Sequence, residues 1–281
     1  MRPLRLPVLN TSLTLLATAI LAACGGSDGG SATPASTTIS GVVTATRFTP
    51  GSSTDPTIAA AYYQGAKVCV DANANGVCDA SESPVVTDAQ GRFNITLPAK
   101  AALIADIGTD ATNTASGAKL ASRDVLRASL DQVMEQGASV VISPLSSEVV
   151  RLTEASATSY AVEKQNLATR LGVALTNVLG DVNTVTGADQ AALLAESNAL
   201  DKRFTYAVTK LDRGDLYPDA LAVAGGDPRL TGMASVSQAT VPSGADTRTK
   251  ITFAQAEQAA FNVEGIPRYD HVFVVMLENK A

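Results

Sequence analysis

The stretch Asp71 to Glu82, DANANGVCDASE, constrains this chain more than any other. Oxygen-bearing side chains stand at its first, third and fifth positions (Asp71, Asn73, Asn75), glycine at its sixth (Gly76), and acids at its ninth and twelfth (Asp79, Glu82). Hard cations take six or more oxygens, and this is the spacing of calcium-binding loops, where the glycine permits a sharp turn. Asn in place of Asp at the third and fifth positions lowers the charge of such a site, which points to an affinity of roughly 10⁻⁴ to 10⁻³ M. The flanks exclude a helix-loop-helix hand. AKVCV before the loop is β-branched, and SPVVT after it carries Pro84 where an exit helix would continue. The loop is therefore expected to join strands, either around calcium or as an Asn/Gly turn that holds no metal.

Cys69 and Cys78 bracket this loop, and the compartment decides what they do. The chain opens with MRPLRLPVLNTSLTLLATAILAAC, two arginines and then an apolar run from about Leu13 to Ala23. That run is shorter than the ~20 residues a membrane-spanning helix needs, so residues 1–23 read as a secretion signal. The run closes on Leu21-Ala22-Ala23-Cys24, which resembles a bacterial lipobox and implies lipidation of Cys24. An ordinary signal with an incidental cysteine is the alternative. Residues 24–38, rich in Gly, Ser and Thr, fit a flexible tether to the envelope membrane. With Cys24 lipidated, Cys69 and Cys78 are an even pair in an oxidising compartment and are expected to form a disulfide. Eight intervening residues and no nearby histidine argue against a redox or metal pair.

From Ile39 the pattern is that of strands. TISGVVTATRF alternates, GAKVCV is a short apolar run, and GRFNITLP alternates again, with Asp88 and Gly91 placed for a tight turn before it. Aromatic residues make up only 4% of the chain and Trp is absent, so a core must come from small and β-branched side chains. The stretch GAKVCVDANANGVCDASESPVVTDAQGRF resembles the immunoglobulin- or prealbumin-like modules of bacterial surface proteins, of the adhesin B-type and carboxypeptidase regulatory-like kinds. The resemblance covers residues 39–130 and implies a β-sandwich with structural calcium, acting as a spacer or stabiliser.

Residues 131–213 change period. Ser143 is placed to cap a helix with Pro144 at its first position, and Leu145, Val149 and Leu152 share a face. A second helix ends at Gly172. A third carries the stripe Leu193, Leu200, Phe204, Val208 and Leu211, while Asp181, Asp201 and Asp212 read as solvated surface acids. Residues 214–250 lack periodicity and read as a linker. The fold class is thus mixed: a β-sandwich, a helical region, and an α/β beginning after the linker.

The composition and motifs exclude several function classes. The formal net charge is −6, and without residues 1–23 there remain 19 basic against 27 acidic residues, −8, which disfavours nucleic acid as a partner. His271 is the single histidine, so no serine or cysteine in the first 250 residues has an imidazole base, and no phosphate loop with its lysine occurs.

The last residues read differently. Thr252 and Gln255 are spaced as a capping box for a helix that Gly265 and Pro267 stop. YDHVFVVMLENKA then follows, an apolar strand of the kind found inside parallel sheets, ending in Glu278-Asn279. It resembles the opening of the bacterial phosphoesterase family, which groups acid phosphatases with phospholipases C in the alkaline phosphatase superfamily. The resemblance implies that Glu278 ligates a divalent metal and that Asn279 holds the metal or the phosphate oxygens of an ester substrate. His271, at the strand entry, is expected to be structural. The family's nucleophile and later metal ligands are not in this sequence, so residues 251–281 are expected to be the start of a truncated domain and the chain inactive. The rival reading is a non-catalytic envelope lipoprotein whose sandwich and helices bind a partner.

Overall fold

A thirteen-residue strand, β1 (Thr37–Thr49), organises the first sheet of the computed structural model, which describes residues 36–49, 57–213 and 252–261. Its β-branched and small residues alternate as the sequence implies, and it serves several partners along its length. Thr37–Val42 pair antiparallel with β5 (Arg92–Leu97), and Thr44–Thr49 pair with β2 (Thr57–Gln64). The changeover falls at Val43, whose N–H donates to the carbonyl of Gly91 at 2.8 Å. Gly91 itself adopts φ +67, and Asp88 Oδ1 accepts the N–H groups of Gln90 and Arg92 at 2.8 Å each, the turn expected from Asp88 and Gly91. The short strands β7 (Thr112–Asn113) and β8 (Ala118–Lys119) extend the sheet beyond β2.

The second sheet runs β4 (Val85–Val86), β3 (Lys67–Cys69), β6 (Leu103–Ile107), β9 (Asp124–Ala128), all antiparallel. Every residue of β6 and β9 is buried. Total burial carries Asp106, Asp124 and Arg127 into the interior with their apolar neighbours, and each must find a partner there.

The helices that follow pack on this frame. After α1 (Leu130–Gln136), α2 (Pro144–Ser156) begins at Ser143, whose hydroxyl accepts the N–H of Ser146 while Ser146 Oγ accepts the N–H of Ser143. The same two turns fasten α2 to β9: Ser146 Oγ donates to the carbonyl of Arg127 at 2.6 Å, and Ser147 Oγ accepts its N–H at 2.7 Å. Helix α3 (Tyr160–Leu171) ends on Gly172 at φ +67 as expected. Helix α4 (Gly187–Arg213) buries Leu193, Leu200, Phe204 and Val208 against β1, β2, β9 and α2. Helix α5 (Phe253–Phe261) carries the expected capping box, with the N–H of Thr252 on Gln255 Oε1 at 2.9 Å and the N–H of Gln255 on Thr252 Oγ1 at 3.3 Å. The class is mixed, as the sequence implies: antiparallel sheets with several helices.

Two features depart from the sequence reading. Inside the stretch expected to be helical lies β10 (Val140–Ile142), which pairs parallel with Gly41–Val43 of β1. A three-residue apolar run bounded by Ser143-Pro144 has no periodicity to announce a strand, and its partner lies about a hundred residues earlier. Residues of both sheets and of α2, α3 and α4 consequently belong to one apolar cluster, including Ile39, Phe93, Leu126, Leu145, Leu167 and Phe204. Asp181 and Asp201 are not solvated surface acids either, since each accepts a tyrosine hydroxyl, Tyr62 to Asp181 at 2.7 Å and Tyr63 to Asp201 at 3.0 Å.

The parallel contact has no spare room. A Cβ at Gly41 would lie 2.1 Å from the carbonyl oxygen of Val140 and 2.7 Å from the Phe93 ring. Gly41→Ala is expected to cost about 2 to 3 kcal/mol of stability, read as a lowered urea midpoint with an unchanged slope. A midpoint equal to that of the parent would show that β10 gives way without cost.

Candidate functional site

The loop between β3 and β4 draws all of its expected oxygen donors into one hydrogen-bonded ring. Asp71 accepts the N–H of Asn75 on Oδ1 at 3.1 Å and that of Gly76 on Oδ2 at 2.8 Å. Asn73 Oδ1 accepts the N–H of Asn75, and Asn75 Oδ1 that of Val77, at 3.1 and 2.7 Å. The side-chain amides of Asn73 and Asn75 both donate to Asp79 Oδ2, at 3.0 and 3.1 Å. Glu82, ending a short 3₁₀ turn, spans the loop mouth by accepting the N–H groups of Ala72 and Asp79 at 2.7 and 3.0 Å. The flanking elements are strands, as Pro84 and the β-branched run imply. Gly76 takes φ +70, the conformation expected at the sixth position, and Ala74 takes φ +58.

The loop is closed from below by a covalent bond and a charge. Cys69 and Cys78 form the expected disulfide, with Cα atoms 5.7 Å apart. A ring of this size contributes roughly 2 to 3 kcal/mol by restricting the unfolded chain. Asp106 Oδ2 accepts the N–H of Cys78 at 3.1 Å, while its Oδ1 accepts Arg123 Nε at 2.7 Å, and Arg123 Nη2 donates on to the carbonyl of Gly76. Sequence reasoning missed Asp106 and Arg123, which stand outside the motif on β6 and just before β9.

As a donor set for a hard cation, the loop offers only oxygens: the carboxylates of Asp71, Asp79 and Glu82 and the carboxamides of Asn73 and Asn75. Among the described residues no three His, Cys, Asp or Glu side chains gather as a metal cluster. The amide oxygens are therefore indispensable to any ion held here. Asn73, Asn75 and Asp79 meet at one atom, Asp79 Oδ2, which accepts an N–H from each amide, so in this arrangement the amides turn donors and not oxygens toward the carboxylate.

A second group of charges lies beneath, where β9 meets α2 and α5. Arg127, 9% exposed, donates from Nη1 and Nη2 to Glu154 at 2.8 and 2.9 Å and from Nη2 to Glu257. Glu257 is wholly buried, and burial pushes its carboxyl up to about 8 against the pull of Arg127. On Arg127 burial opposes the charge, but the carboxylates of Glu257 and Glu154 prevail and raise its pKa. A cavity of about 300 Å³ opens at this junction, lined in part by Asp71, Leu103, Arg127, Glu154 and Phe253. Further in, Asp124 is 1% exposed, with Oδ1 on the N–H of Val125 and Oδ2 without a hydrogen-bond partner. Burial, and then the charge of Asp201, hold its carboxyl well above the usual carboxylate range. Burial likewise raises Asp201.

Cys24, His271, Glu278, Asn279 and the expected linker lie outside the described residues. Among those described, no helix is long and apolar enough to cross a membrane.

The buried acids set a pH dependence. A carboxyl whose pKa rises on folding keeps a proton that the unfolded chain has released, so its contribution is complete below the unfolded value and is lost as pH climbs through the folded one. Glu257 places that loss between about pH 4.5 and 8, with Asp124 and Asp201 acting in the same direction. Each retained proton steepens the decline by up to about 1.4 kcal/mol per pH unit. Asp124→Asn combined with Glu257→Gln is expected to flatten the fall in urea midpoint between about pH 5 and 8; an equally steep fall in the double variant would assign the decline to other groups. Comparison of the chain with protein-family models, with curated proteins and with solved structures finds no match.

Proposed function

We propose that the described residues form a non-catalytic, calcium-stabilised accessory module, and that its two sheets are the halves of an immunoglobulin- or prealbumin-like β-sandwich. The observation that carries this reading is the meeting of Asn73 and Asn75, inside the segment closed by the disulfide, with Asp79 just beyond it. An ion there would draw the carbonyl oxygens of Asn73 and Asn75 away from the N–H groups of Asn75 and Val77, which they accept in its absence, and toward the carboxylate of Asp79. Asp71 and Glu82 would complete the donor set. Calcium bound there supplies positive charge at the centre of a ring of oxygens and so braces the loop.

On the same reading the chain is exported and held at the envelope membrane by a lipid on Cys24, with residues 24–38 as the tether. The module then supports the stretch 268–281, whose resemblance to the phosphoesterase opening places Glu278 as a ligand of a divalent metal and Asn279 beside the metal or the phosphate oxygens. Its role is to present a phosphate ester hydrolase outside the cytoplasmic membrane. The described part contributes stability and placement to that activity and no catalytic group.

Thermal melting with and without calcium tests the module. At an ion concentration ten times the dissociation constant, the melting midpoint is expected to rise by about 3 to 6 °C, and Asp71→Ala or Glu82→Ala should abolish the rise. A midpoint that ignores millimolar calcium removes the ion from the account. Metabolic labelling with palmitate tests the anchor: the parent chain should take up label and Cys24→Ala should not.

A further inference from the structure

We infer that helix α5 is a latch seated on the loop, so that the state of residues 71–78 governs whether residues 253–261 stay docked. The inference rests on the loop as the cation site only for the identity of the ligand that tightens it; the seat itself is built from contacts within the chain.

The first turn of α5 bears directly on the part of the loop whose shape the expected ligands determine. The N–H of Phe253 donates to the carbonyl of Ala74 at 3.2 Å. The Phe253 ring lies over Gly76 so closely that a Cβ there would sit 2.8 Å from it. Ala74 and Gly76 are the two loop residues with positive φ. Their orientation is secured by Asp71, which accepts the N–H groups of Asn75 and Gly76, and by Arg123, which binds the carbonyl of Gly76. Phe253 is 3% exposed and packs in a small apolar cluster with Cys69, Cys78, Ile104, Val125 and Val208. Disulfide, loop turn and helix start are therefore one packed unit.

The far half of α5 is held by other means. Glu257 reaches Arg127, and Phe261 packs on Phe204 with ring centroids 5.0 Å apart and lies under the guanidinium of Arg151 at 4.1 Å. Of these, the Phe204 and Arg151 contacts lie away from the loop, whereas Arg127 also sits over the Phe253 ring, 5.5 Å from its centroid. The helix thus has a loop-dependent end and a loop-independent end, the arrangement of a strap that can lift from one side. An ion that binds the seated loop more tightly favours the seated helix, and the seated helix in turn tightens ion binding by the same factor, because linkage is reciprocal.

Hydrogen exchange of the full oxidised chain, read by mass spectrometry in chelator and in calcium, tests the latch. With calcium at ten times its dissociation constant, amides of residues 253–261 are expected to exchange about tenfold more slowly, in step with those of the loop. Gly76→Ala should speed exchange at 253–261 with or without calcium while leaving β6 and β9 protected. Phe253→Leu, which shortens the contact without adding volume, should weaken the calcium effect on α5. Slowed exchange in the loop with none in α5 overturns the latch and leaves the cation reading standing. No calcium effect in the loop or on melting overturns the cation reading, and the latch with it if Gly76→Ala also leaves α5 unchanged.

Discussion

A single guanidinium, that of Arg127, sits where the sheets hand over to the helices. Its backbone belongs to β9 and is gripped by the serines that open α2. Its head group joins Glu154 of α2 to Glu257 of α5. Removing a charge of this kind leaves its buried partners uncompensated, which costs far more than the pair contributes by itself. The position is therefore less a source of net stability than a constraint on which helix lies where. On α5 the partner of Arg127 is Glu257, which accepts from Nη2.

The composition explains why a constraint of this kind is needed. A core of Ala, Val, Ile and Leu with few aromatics has many near-equivalent ways to pack, since small side chains interlock weakly. Directional contacts narrow the choice. The disulfide fixes both ends of the loop, the Asp106 and Arg123 pair fixes its base, and Tyr62 and Tyr63 reach Asp181 and Asp201 across the interface between β2 and the helical region. Each joins elements that apolar burial alone would leave free to slide.

What could be read in the sequence is what depends on near neighbours in the chain. The turn at Asp88 and Gly91, the cap at Ser143 and Pro144, the stop at Gly172, the box at Thr252 and Gln255 and the ring of donors from Asp71 to Glu82 are all closed within a dozen residues. Their chemistry is legible because residue type and spacing determine it. The pairing of β10 with β1, the bond of Tyr63 to Asp201 and the union of Arg127 with Glu257 depend on residues that sequence order does not bring together. A short apolar run such as Val140–Ile142 looks the same whether it ends a loop or completes a sheet. Asp124 and Arg127 stand three apart on β9 and so on opposite faces of the strand, and nothing in that spacing announces that both are buried.

The candidate site divides along the same line, and the division bears on how it could work. The donors are local, whereas the surface that reads their arrangement, Phe253 on Gly76, comes from a residue about 180 positions later. A loop that bound an ion with no distant contact would stabilise only itself. The turn at Ala74 and Gly76 is also the seat of a helix, so on the proposed reading tightening it would act elsewhere, and the weak affinity expected from Asn73 and Asn75 would suit a response to varying ion concentration. The proposed module thus rests on the local group of donors, and the contact of Phe253 with Gly76 is what would carry a change in that group to α5.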